Sequence, residues 1–280
     1  MELSSAVCNL WCCATDCFKL IQLAREFESQ FTTYQMKLDI VQLRLSRWGE
    51  AIGVTGFHGE TQKAHHQDDP TVGSKVNRDL LRGAEEILER MQAQVKTAQD
   101  EAQAMKPSLP PSSDKVLDPE LNISSTDLKN IRKRFHDCVC KRKGQLKTAK
   151  NSLKWAFYKR HNFESFIATI SKLVAELEDL LPQDDKEGKL RKLSQQECEG
   201  FDQADFSKDN LAKLILIAEG CDPWLKATIK EILQRLYPSG TSVNQYDNHH
   251  NSMVTAYHYG AVNGAINGAN HQFIQKWGEK

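Results

Sequence analysis

The stretch KLDIVQLRLSRWGEAIG, residues 37–53, decides the fold class of this chain. Its apolar residues advance by three, four, three and four positions, which is the spacing of one face of an α-helix. That face consists of Leu38, Val41, Leu45, Trp48 and Ile52, and the other face carries Lys37, Asp39, Gln42, Arg44, Arg47 and Glu50. We therefore predict that Trp48 is a core residue whose indole N–H needs one acceptor. A tryptophan in a binding site is the alternative.

The charge balance and the cysteine content limit the classes of protein to which this chain can belong. The 280 residues include 37 acidic and 37 basic ones, a balance that argues against a general nucleic-acid binder, which carries a basic footprint. The N-terminus lacks the basic region of a secretory signal and has Glu2 instead. The eight cysteines are therefore predicted to be thiols of a cytoplasmic protein rather than disulfides.

Four cysteines, Cys8, Cys12, Cys13 and Cys17, crowd the N-terminus. Structural zinc sites usually present cysteine pairs on turns, whereas these residues follow helical spacing within an apolar stretch. We favour an interpretation as small hydrophobic residues of a core or a membrane segment. A zinc site and lipidation of a thiol are the alternatives.

Apolar periodicity and helix-breaking residues divide the chain into helices and loops. Helices are predicted over residues 3–24, 27–52, about 75–104, from Ser125 or Thr126 to about Tyr158, 162–182, 207–219 and 222–236. Asn162 is a predicted N-cap, Pro182 a predicted stop, and Pro223 fits a first helical turn. Loops are predicted at 53–74 and at 106–120, which holds four prolines. Without a convincing long strand before the tail, the fold is predicted to be all-α, a single multi-helix bundle.

Residues 129–147 contain two basic runs, KNIRKRF and CKRKGQLK. Such runs can bind nucleic acid, but a solvated helix face balanced by acidic residues elsewhere is favoured, so no nucleic-acid partner is expected. The sequence contains no P-loop, GxSxG, HExxH or dinucleotide-binding motif. We therefore predict a protein that is not an enzyme, with no catalytic, cofactor or metal site.

The sequence changes character at Pro238, which places the domain boundary between residues 1–237 and a flexible tail, 238–280. Only four of the 42 residues from Ser239 on are charged, and GAVNGAINGAN at 260–270 repeats with a period of four. Three interpretations of this repeat compete. Glycines at this spacing occur in membrane helices, and low-complexity tails are often disordered. A β-strand is the third interpretation, because a period of four keeps each residue type on one face of a strand.

We expect a tail that is disordered in the monomer and cross-β in an assembly, with an amyloid motif around residues 253–277. The motif residues are Gly260, Val262, Asn263, Gly264, Ile266, Asn267, Gly268, Asn270, Phe273 and Ile274.

Three segments of the helical part resemble one family. They are DCFKLIQLAREF at 16–27, MKLDIVQLRLSRWGEAIG at 36–53 and KWAFYKRHNFESFIATISKLVAELEDLLP at 154–182. They are similar to the HeLo domain of the fungal HET-s/HET-S family of prion and cell-death proteins. The resemblance covers about residues 8–237, and RLSRWGEA is its most specific part.

The resemblance implies a heterokaryon-incompatibility or programmed-cell-death effector. In that family a partner, often an NLR-type receptor with a matching motif, templates amyloid folding of the tail, and the N-terminal segment then enters the plasma membrane. It also implies a homodimer at rest and an oligomer or fibril when active. The candidate membrane-inserting segment is 1–24, with Leu3, Val7, Leu10, Trp11, Phe18, Leu20, Ile21 and Leu23.

Two features depart from the family pattern. The tail carries one short Gly/Asn-rich motif rather than paired repeats. The uncharged N-terminal run Leu3–Thr15 has 13 residues and is followed by Asp16 and Lys19, each costing about 2.5–3.5 kcal/mol at a bilayer centre. Either the start is misassigned, or oligomers supply the missing stability, or the protein is a non-toxic prion-like adaptor or relay that binds and inhibits HeLo-domain partners.

Overall fold

The computed structural model describes residues 5–54, 70–110, 112–144, 153–183, 186–201 and 206–237, with backbone alone for 70–77. Its helices are α1 (Ser5–Cys17), α2 (Phe31–Ala51), α3 (Pro70–Met105), α4 (Pro119–Asn122), α5 (Thr126–Lys143), α6 (Arg160–Asp179), α7 (Arg191–Glu197), α8 (Lys208–Ala218) and α9 (Pro223–Leu236). Short 3₁₀ turns cover Phe18–Leu20, Arg25–Gln30 and Lys106–Ser108, and a π turn covers Lys186–Leu190. The predicted all-α class is confirmed.

Helix α2 is the centre of the bundle, and α1, α5, α6 and α8 all pack against it. Every residue from Ile40 to Gly49 is buried. The indole N–H of Trp48 donates a hydrogen bond to the carbonyl of Leu177 in α6 at 2.8 Å. The whole predicted apolar stripe lies in the core: Leu38, Val41, Leu45, Trp48 and Ile52.

Part of the predicted polar face of α2 is buried rather than exposed to water. Gln42, Arg44 and Arg47 are buried, because neighbouring helices surround α2 on several sides rather than on one. A helix that is buried all round cannot keep an amphipathic exposure pattern. Its charged side chains instead have partners within the protein, which are described below.

Two three-residue strands interrupt segments that were predicted to be helical. Strand β1 (Ile21–Leu23) pairs in parallel with β2 (Trp155–Phe157), with Gln22 opposite Ala156. The predicted helix 3–24 therefore ends at Cys17. The helix predicted to reach about Tyr158 ends at Lys143, where Gly144 takes a φ of +54°, a backbone conformation that terminates an α-helix.

Helix ends agree with the sequence where a polar cap is present. Ser125 caps α5 as predicted, and its hydroxyl accepts from the N–H of Leu128 at 3.3 Å. Pro223 occupies the first turn of α9, also as predicted. The predicted N-cap Asn162 is wrong, because α6 already begins at Arg160 after Lys159. The predictions for the tail, 238–280, lie outside the described residues.

Candidate functional site

Helix α1 lies in a seat formed by α2 and α3. Its side chains that face the seat are apolar or thiols, and they are buried: Val7, Cys8, Trp11, Cys12 and Ala14. Trp11 is the anchor, since its indole N–H donates to the carbonyl of Leu45 in α2 at 3.0 Å. This hydrogen bond satisfies the one polar group of a fully buried ring.

Gly49 makes room for the Trp11 ring. A Cβ atom at position 49 would lie 2.3 Å from Cε2 of Trp11, far inside van der Waals contact. The glycine in RLSRWGEA therefore has a packing role, because α1 can seat its tryptophan against α2 only where no side chain intervenes.

Polar contacts hold the C-terminal turn of α1. The side-chain amide of Gln42 donates to the carbonyl of Thr15 at 2.8 Å. Asp16 forms an ion pair with Lys143 at the end of α5, and a longer one with Lys19 at 3.7 Å. Asp16 and Lys143 are both buried. Within the described part of the chain neither Asp16 oxygen has a partner of hydrogen-bond geometry, so this contact is an electrostatic one.

The predicted membrane-inserting residues are mostly inside the protein in this structure. Val7, Trp11, Phe18, Ile21 and Leu23 are buried. Leu10 and Leu20 are half-buried. Leu3 lies outside the described residues. Among the helices that the structure describes, none has both the length and the apolar character for crossing a membrane.

The N-terminal cysteines differ in environment. Cys8 and Cys12 are buried, as expected of small core residues, whereas Cys13 is exposed. Burial raises the pKa of Cys12 to about 11, so its thiol is protonated at neutral pH. No group of three or more potential metal ligands occurs in the described ranges.

A cluster of buried charges lies on the opposite side of α2 from its apolar stripe, and we call it the Arg47 cluster. Arg47 is fully buried and donates to both carboxylate oxygens of Asp222, at 3.0 and 2.7 Å. It also donates from Nε to Glu197 at 2.9 Å. Glu197 accepts a further hydrogen bond from Arg142 at 2.6 Å. The cluster thus joins α2, α5, α7 and the start of α9.

The charges of the Arg47 cluster stabilise one another. Burial alone would lower the pKa of Arg47, but Asp222 and Glu197 outweigh this and raise it well above its ordinary value. Burial likewise opposes ionisation of Asp222, yet the charge of Arg47 holds the pKa of this carboxyl below its ordinary value. Both residues are therefore charged at neutral pH, and each would be costly to leave unpaired.

A second buried pair lies one helical turn earlier on α2. Arg44 binds Glu178 of α6 through two parallel hydrogen bonds of 3.0 and 2.7 Å, which is the strong bidentate geometry. Its remaining nitrogen donates to the carbonyls of Ser171 and Cys221. Sequence reasoning missed both arginines, since an arginine that faces acidic residues far along the chain has the same local spacing as one that faces water.

The basic runs of α5 are largely neutralised by contacts within the protein. Arg132 pairs with Asp39 at 2.9 Å, Arg142 with Glu197, and Lys143 with Asp16. Arg142 and Lys143 are buried, so this part of the run is an internal surface rather than the solvated face that we favoured. That the protein has no nucleic-acid partner stays a prediction.

Comparison with known proteins now identifies the family. The family model for the prion-inhibition and propagation domain, HeLo, matches residues 3–214. The chain belongs to the HeLo family. This HeLo chain is 31% identical over 178 residues to heterokaryon incompatibility protein s of Podospora anserina, covering 63% of this chain and 56% of that protein. It is 29% identical over 188 residues to heterokaryon incompatibility protein S of the same fungus, covering 65% and 57%.

The HeLo fold is also shared with a solved structure. The structure of the HET-s N-terminal domain superposes with a TM-score of 0.68 and 25% sequence identity, over 82% of this chain and 98% of that one. The predicted resemblance is thereby confirmed. This HeLo chain spans somewhat more than half of the length of the curated relatives that it matches.

Proposed function

We propose that this protein is a fungal heterokaryon-incompatibility and cell-death effector. Templated amyloid folding of the tail activates the helical domain, which then delivers its N-terminal segment to the membrane. In this proposal the protein is a cytoplasmic homodimer at rest, is triggered by a receptor that carries a matching tail motif, and acts at the plasma membrane. It works by binding and refolding rather than by catalysis.

The family supports the class of process. Both relatives named above are heterokaryon incompatibility proteins, and the fold is that of the HET-s N-terminal domain.

The observation that carries the proposal is the seat of α1. An apolar helix face, anchored by Trp11, is stored against α2 and α3. At the end of α1 one charge, Asp16, is neutralised by Lys143. Burying this face keeps it from lipid, and removing α1 from the seat would expose it. Interfacial helices bind membranes through an apolar face of this kind.

The Arg47 cluster and the Lys143–Asp16 pair join the start of α9 to the end of α1. The tail follows α9, whose N-cap Asp222 accepts from the backbone N–H groups of Trp224 and Leu225, both at 3.1 Å. Asp222 pairs with Arg47, Arg47 with Glu197 and Glu197 with Arg142. The next residue, Lys143, pairs with Asp16 of α1. A displacement of α9 would remove a partner from this row of buried charges.

A seeded leakage assay tests the proposal. The full chain would be mixed with dye-filled phosphatidylcholine–phosphatidylserine vesicles, with and without fibrils of a 238–280 peptide. We expect dye release only with fibrils, and faster release for Asp16→Asn, which removes the partner of Lys143. Fibrils that bind the protein yet release no dye at any seed concentration would contradict membrane action. A peptide without a cross-β reflection near 4.7 Å would contradict the amyloid step.

The alternative is a non-toxic adaptor or relay that binds and inhibits HeLo-domain partners. One observation favours it: the candidate segment contains the charged residues Asp16 and Lys19, and each costs about 2.5–3.5 kcal/mol at a bilayer centre. Under this alternative the unaltered protein does not release dye, and replacing both Asp16 and Lys19 by leucine creates leakage. Asp16→Asn with Lys19→Gln is the matched control, because it removes both charges without adding apolar surface.

A further inference from the structure

The last turn of α1, residues 14–17, buries a hydroxyl that is not paired. Thr15 is fully buried, and within the described part of the chain its Oγ1 atom has no hydrogen-bond partner. A buried hydroxyl without a partner destabilises the folded state, because it has given up its hydrogen bonds to water. Water would restore those bonds if the turn opened, so this group favours opening.

Asp16 has an unfavourable position in the same turn. The C-terminal end of a helix carries a partial negative charge, which disfavours a carboxylate there. The Asp16 side chain is buried, and the ammonium group of Lys143 at the end of α5 offsets its charge, whereas Lys19 is farther away at 3.7 Å. Asp16 is therefore stabilised by α5 rather than by its own helix.

The backbone of this turn also depends on another helix. The last four carbonyls of an α-helix have no backbone partner within the helix, and the carbonyl of Thr15 is one of them. It accepts a hydrogen bond from the side-chain amide of Gln42 in α2, at 2.8 Å. Gln42 is buried, so it can supply this hydrogen bond only while α1 lies against α2.

Firm attachments lie on both sides of the turn. One turn earlier, Trp11 lies against Gly49 and donates to the Leu45 carbonyl. Shortly after the turn, β1 pairs with β2. Hinges are commonly a few residues at the end of an element, where the backbone can change direction. Residues 14–17 are in such a place, and their helical form depends on contacts from α2 and α5.

We propose that residues 14–17 are a hinge, which is helical while α1 is seated and unwinds when α1 leaves. Unwinding exposes the Thr15 hydroxyl and the Asp16 carboxylate to water, while the part of α1 that carries Trp11 moves as a helix and β1 stays paired. The hinge rests on the proposed function for the release of α1, and it adds the point at which the chain bends.

Hydrogen–deuterium exchange of the full chain, without fibrils or vesicles, tests the hinge by mass spectrometry. Thr15→Val replaces the hydroxyl by a methyl group, and the amides at the end of α1 should then exchange roughly tenfold more slowly. Gln42→Met removes the donor to the Thr15 carbonyl, and the same amides should exchange roughly tenfold faster. Exchange in α6 should match the parent in both variants, because a local opening does not unfold the whole domain.

Thr169→Val is the matched control. The hydroxyl of Thr169 donates to the Ser165 carbonyl within α6, at 2.9 Å, so its loss should leave exchange at the end of α1 unchanged. Faster exchange there in Thr15→Val would overturn the hinge, since the hydroxyl would then stabilise the turn. Unchanged exchange in both Thr15→Val and Gln42→Met would also overturn it.

Equal changes in α1 and α6 would overturn the hinge as well, because α1 would then open only when the whole domain unfolds. These outcomes are separate from the proposed function. The exchange measurement contains neither fibrils nor vesicles, so a negative result concerns the hinge alone. Membrane action is decided by dye release from vesicles.

Discussion

Lys143, the last residue of α5, and Asp16, one residue before the end of α1, form an ion pair in which the two side chains are only 6% and 8% exposed. The neighbour of Lys143, Arg142, binds Glu197 in the Arg47 cluster. The end of α5 therefore connects the seat of α1 to the charges that hold the start of α9. Replacing either partner leaves the other charge buried, and this relationship decides the first prediction.

Asp16→Asn should destabilise the domain by about 3 kcal/mol, because it leaves the ammonium group of Lys143 buried without a counter-charge. Urea unfolding followed by circular dichroism measures this free energy. Lys143→Met combined with Asp16→Asn should recover part of the loss, since neither charge then remains. If the loss of unfolding free energy in the double variant equals the sum of the losses in Asp16→Asn and Lys143→Met, the two residues are not coupled.

Gly49→Ala should push Trp11 out of its position, because the added Cβ would meet the indole ring at 2.3 Å. We expect a loss of about 1–3 kcal/mol, the usual cost of overpacking, with early amide exchange in α1 while α6 stays protected. Gly83→Ala is the control: its Cβ would meet only the end of the Leu180 side chain, at 3.1 Å, so its effect should be small. Equal protection of α1 in the Gly49→Ala variant and the parent would contradict this packing role.

Trp48→Ala should lower the stability of the resting domain by about 3–5 kcal/mol, the range for deleting a large buried aromatic side chain. The ring is fully buried, and its loss also leaves the Leu177 carbonyl without the indole donor. Trp224→Ala, at a half-buried position, should cost clearly less. A melting temperature of Trp48→Ala equal to that of the parent would show that the Trp48 stripe does not hold the bundle together.

Acid should weaken the domain through Asp222. Its pKa in the folded protein lies below the ordinary 3.8, since Arg47 outweighs the effect of burial. The unfolded chain then binds more protons in this range, so the stabilisation present at neutral pH is lost progressively as the pH falls below about 5. Unfolding free energies of the parent and Asp222→Asn should therefore differ most at neutral pH and converge on acidification. A constant difference from pH 7 to pH 3 would contradict this assignment.

In the Asp222→Asn variant, other carboxyl groups still make the unfolding free energy depend on pH. Hydrogen bonds hold the pKa of Asp127 below its ordinary value, so this residue also loses stabilisation in acid. Asp39 has the opposite sign: burial outweighs Arg132 and raises its pKa, so protonation of Asp39 favours the folded state. The comparison of the two proteins at each pH removes both contributions, because they are common to both.

The spacing of apolar residues along the chain predicted those helices whose ends are marked by a capping residue or a proline. Ser125 and Pro223 are such signals, because a cap hydroxyl and a proline ring act on the backbone within one turn. The same locality made the Trp48 stripe predictable, as apolar periodicity reports which side of a helix faces a core. Asn162 misled the prediction of α6, since α6 starts at Arg160, and a cap-forming side chain within the first turn does not by itself fix where a helix begins.

The sequence by itself determined the helical class, the burial of the Trp48 stripe and membership of the HeLo family, since each depends on residues that are close along the chain. Only the tertiary structure decided that Arg44 and Arg47 are buried, because their partners lie more than 120 residues away. It also decided that α1 ends at Cys17, since Ile21–Leu23 pairs with Trp155–Phe157. Long-range pairing overrides a local helical preference when it satisfies the backbone equally well and buries the same side chains.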